Sequence, residues 1–146
     1  GFIPEENERD SYLQALKGRD GLSSPSVPAL VAHIAAYRDG APWLDALRDY
    51  LQANMRYVAD TLNNAFPALC WQPPEATYLA WIDLRPLNVD DRALQQALIA
   101  EQKVAIMPGY TYGPEGNGFL RLNVGCPREK LERGVEGLIA ALRSLS

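Results

Sequence analysis

The sequence predicts an α+β domain: a small mixed or antiparallel sheet of about four strands packed with helices, with a long helix ahead of it. Three observations lead there. From the amino terminus to Ala65, apolar residues recur every three or four positions; beyond Pro67 the period falls to two; helical spacing then returns twice, between the strands and at the carboxy-terminal end.

In order along the chain, Tyr12, Leu13 and Leu16 stand at helical spacing and close on Gly18, a short first helix. The GFI before it carries no capping or turn signal and reads as the tail of an element that begins upstream. SSPSVPALVAHIAAYRDG gives a second helix, with Val27, Leu30, Val31 and Ile34 on one stripe and Gly40 as its stop. A start at Ser26 keeps Pro28 in the first turn, where its missing N–H costs nothing; a start at Pro25 would leave it deleting an internal bond. The best-defined helix runs from Pro42 to about Ala65, with Leu44, Leu47, Leu51, Met55, Val58 and Leu62 on one side. Arg56 and Asp60 form a solvated i,i+4 pair on the other, and Pro67 ends the element. LCWQ and TYLAWIDL follow as strands, then a helix at DDRALQQALIAEQ, the strands KVAIM and FLRLNV, and a last helix from Pro127 carrying Leu131, Val135, Leu138 and Leu142. Both faces of TYLAWIDL are largely apolar, which argues for an inner strand covered on each side.

With 146 residues, 47% of them apolar, the chain suffices for one domain with a hydrophobic core. The formal charge is −4 and the 14 basic residues are scattered, so no cationic face gathers phosphates and nucleic acid is not an expected partner. The longest stretch free of charge, Gly21 to Tyr37, holds two prolines and several serines, so a membrane is not expected either. No signal-peptide pattern opens the sequence, and Cys70 and Cys126 have neither pairing nor metal-type spacing. The expected location is a reducing one, the cytoplasm.

Between KVAIM and FLRLNV lies PGYTYGPEGNG, with four glycines and two tyrosines. It is not a phosphate loop, because no lysine with serine or threonine follows and a strand comes next. It is either a long hairpin connection whose glycines supply positive φ, or a ligand lid with Tyr110 and Tyr112 as its contacting residues. Arg121 follows directly. Alternation places it with Phe119 and Asn123, opposite Leu120, Leu122 and Val124, so it need not enter the core. A guanidinium held on a strand matches the two oxygens of a carboxylate; the alternative is an ordinary ion pair with a neighbouring acid. Asp83 is one such acid, with Arg85 or Arg121 as its partner or a capping role instead. His33 reads as a packing residue beside an apolar stripe, and Cys126 as a small buried residue at a helix start.

Taken together, SSPSVPALVAHIAAY, GAPWLDALRDYL, ATYLAWIDLRPL, KVAIMPGYTYG and GFLRLNVGCPR resemble the carboxy-terminal part of a fold-type I pyridoxal-phosphate enzyme of the aminotransferase class I/II superfamily. Within it they most resemble the MalY/PatB-type cystathionine β-lyases, the subgroup of the maltose regulon modulator. The likeness runs from about Leu16 onward. It implies that residues 1–146 form the small carboxy-terminal domain and that Arg121 binds the α-carboxylate of an amino-acid substrate. It implies too that Gly109 to Gly113, with Tyr110 and Tyr112, lies by the active-site mouth. Ser23 and Ser24 fall where some relatives reach toward a neighbouring subunit's cofactor, which makes Ser24 the cofactor-side candidate. The parent would be a homodimer using pyridoxal 5'-phosphate.

One departure from the family stands out. Members hold the cofactor on a lysine in a serine-rich segment, whereas Lys17 leads into a charged turn, Lys103 sits before a strand and Lys130 lies in the first turn of a helix beside charged neighbours, none with the desolvated setting such an amine needs. The large cofactor-binding domain is therefore expected to be missing from this chain. The implied activity of the parent is carbon–sulfur β-elimination, cystathionine giving homocysteine, pyruvate and ammonia, with this chain supplying a carboxylate anchor and no chemistry of its own. The alternatives are a class I/II aminotransferase domain, and a non-catalytic binding or regulatory module.

Overall fold

The computed structural model describes residues 5–22 and 24–145; the GFI opening and Ser23 lie outside them. The chain divides into two compact units between Asp45 and Ala46.

The first unit is helical. α1 (Glu6–Gln14) runs into a π-helical turn at Ala15–Arg19, closed by the Asp20 N–H on the Ala15 carbonyl at 3.0 Å, so the helix widens rather than stopping at Gly18. α2 (Val27–Asp39) begins where the prolines dictate: Ser26 caps it, its hydroxyl accepting from the Ala29 N–H at 3.4 Å, and Pro28 sits in the first turn. None of the described residues of this unit is buried, and α2 is apolar nearly all round.

α3 (Ala41–Ala65) spans the division and carries Met55, Val58 and Leu62 into the core of the second unit. There β1 (Leu79–Asp83), β2 (Met107–Pro108) and β3 (Phe119–Asn123) form an antiparallel sheet in the order β1-β3-β2. α4 (Asp91–Ala100) starts on Asp90, whose carboxylate accepts from the N–H groups of Arg92 and Ala93 at 3.1 and 2.7 Å. α5 (Arg128–Ser144) closes the chain. One face of the sheet, with Ala80, Ile82, Leu120 and Leu122, joins Leu94 and Leu98 of α4 and Leu131, Val135, Leu138 and Leu142 of α5 in a single apolar cluster.

The α+β class holds, and three details differ from expectation. LCWQ forms no strand. Asn63 takes the place of a neighbouring strand there, its Oδ1 accepting from the Trp71 N–H at 2.9 Å and its Nδ2 donating to the Trp71 carbonyl at 2.8 Å. Most of KVAIM is the closure of α4: Lys103 is left-handed at φ 56°, and the Val104 N–H returns to the Leu98 carbonyl at 2.9 Å. Pairing therefore begins only at Met107. Finally, β1 is an edge strand and not an inner one, since β3 lies in the middle. The outward carbonyl of Trp81 is covered by the buried indole of Trp71, whose Nε1–H donates to it at 2.8 Å.

Candidate functional site

The uncovered face of the sheet brings the candidate residues together. Register aligns Trp81 of β1, Arg121 of β3 and Met107 of β2 in one row. Same-face neighbours in such a row touch, because the pleat sends alternate residues to the same side. The row continues into rings: the Arg121 guanidinium carbon lies 4.9 Å from the centroid of Tyr112, Tyr112 meets Trp81 edge-on at 5.7 Å, and Trp81 stacks on Phe119 at 5.5 Å. The Arg85 guanidinium carbon also lies over the Phe119 ring, 4.6 Å from its centroid. This arrangement joins two cations through three aromatic side chains.

Arg121 lines a cleft of about 750 Å³ between β2, β3 and the start of α5. Lys103, Lys130 and Arg133 share that lining with Asn123 and Cys126, and no aspartate or glutamate does. The local field favours an anion. Among the described residues Arg121 forms no ion pair, and its Nε–H is buried without an acceptor. Asp83 is committed elsewhere, to Arg85, at 2.6 Å between Oδ2 and Nη2. That hydrogen bond holds the Asp83 carboxyl below its ordinary range and raises the Arg85 guanidinium.

The glycine-rich connection is folded back on itself. Helical turns at Gly109–Tyr112 and Pro114–Gly116 are packed so closely that a Cβ on Gly109 or Gly116 would collide with the other's backbone. Gly113 and Gly118 have φ of 121° and 79°, and the Gly118 N–H is tied to Asp91 Oδ2 at 2.7 Å. This folding presents Tyr112 to Arg121 and turns Tyr110 the other way, over Arg92 of α4 at 5.1 Å; neither tyrosine is part of the lining of the Arg121 cleft. Ser24 belongs to the first unit and is exposed. His33 is exposed beside Tyr37, with ring centroids 5.0 Å apart, and Cys126 is half-buried rather than buried.

Behind β3, α3 holds the strand's exit. Asn54, fully buried, donates from Nδ2 to the carbonyls of Val124 and Cys126 at 2.9 and 3.3 Å, and the Tyr50 hydroxyl donates to the Cys126 carbonyl at 3.0 Å. Tyr50 and Asn54 have no role in the sequence reading, and Trp81 enters it only as a strand residue. Helical spacing places Tyr50 and Asn54 four apart on one face, but which carbonyls they meet depends on tertiary packing.

Residues 6–138 match the family model described as aminotransferase class I and II. This chain belongs to that family. It is 70% identical over 145 residues to Protein MalY of Escherichia coli, covering 99% of this chain and 37% of that protein. It is 38% identical over 141 residues to the cystathionine β-lyase PatB of Bacillus subtilis, covering 97% of this chain and 36% of that one. In structure it resembles cystalysin from Treponema denticola, a protein crystallised with pyridoxal 5'-phosphate, with a TM-score of 0.79 at 29% identity over 99% of this chain and 36% of that one. The chain thus spans a little over a third of the length of these relatives.

Lys17, Lys103 and Lys130 are all exposed, and Lys103 Nζ donates to the Ala100 carbonyl at 2.7 Å.

Proposed function

We propose that this chain is the substrate-anchoring, carboxy-terminal part of a pyridoxal-phosphate-dependent carbon–sulfur β-lyase that converts cystathionine and water to homocysteine, pyruvate and ammonia. The observation that carries the reading is an arginine on the central strand, lining an acid-free cleft with no ion pair among the described residues. In it Arg121 receives the substrate α-carboxylate on parallel N–H donors. Fixing that end sets the direction in which the rest of the substrate, including the bond to be broken, is presented. Tyr112 borders the same anchor and Tyr110 the loop behind it, while Ser24 faces the cofactor of a neighbouring subunit in a homodimer.

The lysine that holds the cofactor lies, on this reading, in the larger part of the protein, and the isolated chain is inactive. The exposed α2 supports this, because a helix apolar nearly all round is one that other surfaces cover. Likeness to a named cystathionine β-lyase favours elimination over amino transfer.

The test uses the full-length protein supplied with pyridoxal phosphate. Cystathionine is expected to give pyruvate, with an amino acid plus a 2-oxoacid turning over far more slowly. Arg121→Gln should weaken substrate binding by about 10- to 100-fold, the loss of a charged hydrogen-bonded pair. Faster amino transfer than pyruvate release, or turnover by residues 1–146 alone with added cofactor, would overturn the proposal.

A further inference from the structure

Arg121 is held in place without being neutralised. A cation beside a sheet can be oriented by a carboxylate, which occupies its N–H donors, or by an aromatic face, which attracts the charge through the ring quadrupole and leaves the donors unspent. Here the described surroundings offer the second: Tyr112 lies under the guanidinium at 4.9 Å, and no acid pairs with it. Tyr112 is itself half exposed at 50%, so its ring position must come from a neighbour rather than from enclosure in the core. That neighbour is Trp81, at 5.7 Å with the rings 73° apart. Trp81 is fixed in turn by its stack on Phe119, by its register opposite Arg121, and by the Trp71 indole on its carbonyl.

We propose that Tyr112, backed by Trp81, is the positioning residue that aims the Arg121 fork at the substrate carboxylate. The inference rests on the reading of Arg121 as the carboxylate anchor and assigns the tyrosine a role through its ring face and not its hydroxyl. An ion-pairing acid in the same position would compete with the substrate for the guanidinium; the ring does not. The arrangement therefore supplies orientation and leaves the charge for the ligand.

The test again uses the full-length protein with pyridoxal phosphate. A non-reacting amino acid and the corresponding amine lacking the carboxylate serve as competitive inhibitors against cystathionine. Tyr112→Leu, similar in bulk but without a π face, is expected to weaken the amino acid by about 3- to 30-fold and leave the amine unchanged. KM for cystathionine should rise by a similar factor. Tyr112→Phe keeps the ring and should restore both to within about twofold, and Trp81→Leu should shift them in the same direction as Tyr112→Leu but by less. If Tyr112→Leu loses solubility, Tyr112→Gln gives the same comparison on a side chain suited to its exposure.

Unchanged amino-acid binding in Tyr112→Leu, or equal weakening of amino acid and amine, would overturn the inference. Arg121→Gln separates the two levels. Should it leave amino-acid binding intact, the anchor itself is misassigned; should it weaken binding while Tyr112→Leu does not, only the tyrosine's role falls.

Discussion

Substituting Asn54 tests whether the exit of β3 is held by α3. Asn54 is fully buried and its amide donates to the Val124 and Cys126 carbonyls at 2.9 and 3.3 Å, while its own Oδ1 is buried with no partner. Asn54→Ala takes away the donor serving the Val124 carbonyl; the Cys126 carbonyl keeps the Tyr50 hydroxyl at 3.0 Å. One buried acceptor left unmet costs about 1–3 kcal/mol, reduced because an unpartnered Oδ1 no longer has to be kept from water. A small cavity adds to the loss, so a total of about 2–3 kcal/mol is expected for alanine and about 1–2 kcal/mol for the better-filling leucine.

Asn54→Asp should be the worst of the three at neutral pH. It presents a buried carboxylate to two carbonyl oxygens and offers no donor, so the folded state raises its pKa and favours the protonated form. The sign follows from linkage: the penalty is full above the raised folded-state pKa and shrinks as pH falls through it toward the ordinary carboxylate value. Urea unfolding of the full-length protein at several pH values, read as midpoints at constant slope, measures this. The reasoning is refuted if Asn54→Ala lies within about 0.5 kcal/mol of the parent, or if aspartate is no worse than leucine at pH 7.

Three other substitutions have opposite or pH-dependent signs. On α5, a Cβ at Gly134 would meet nothing within 4 Å, so Gly134→Ala should stabilise by about 0.5–1 kcal/mol, the helix propensity difference. Gly137→Ala, one turn on, places a Cβ 2.8 Å from Val104 Cγ2 and should destabilise in the same unfolding measurement. The Asp83–Arg85 pair lowers the Asp83 pKa, so its contribution is fully present above the ordinary carboxylate value and lost as pH falls through the lower folded-state value. Asp83→Asn should flatten the stability profile in that acid range and remove some of its salt dependence, with little change at neutral pH because the pair is solvent-exposed.

Much of this architecture was legible because periodicity is a local property. The stripe from Leu51 to Leu62 foretold the buried face of α3, Pro28 and Ser26 fixed the start of α2, and alternation separated Arg121 from Leu120 and Leu122 before any strand had a neighbour. The failures are tertiary. LCWQ has strand-like residues, yet its polar backbone is met by the side chain of Asn63, eight residues before Trp71. TYLAWIDL looks doubly covered because Leu79 and Trp81 make its second face apolar, but Trp81 serves that face by stacking on Phe119 and not by burial under a helix. Tyr110 and Tyr112 are indistinguishable in the sequence. Only the two tight turns of their loop, possible because Gly109 and Gly116 have no side chains to separate them, send one ring to Arg92 and the other to Arg121.

If Arg121 is the proposed carboxylate anchor, its position lets one short sheet serve both stability and recognition. β3 is hydrogen-bonded on both edges, while β1 and β2 each have one free edge within the described sheet, so the middle of β3 is its best-constrained backbone. Leu120 and Leu122 point into the apolar cluster and anchor that backbone through burial, which a polar side chain could not do. Pleating then forces the residue between them onto the opposite face, so the same packing that immobilises two leucines immobilises the base of the arginine. Long side chains still swing about a fixed Cα, and the remaining freedom is limited by rings whose own positions descend from the sheet register. An arginine placed on the loop would have the charge but not this constraint, and an arginine paired to Asp83 would have the constraint but not the free donors. The sequence satisfies both requirements by giving Asp83 its own partner two residues away, at Arg85.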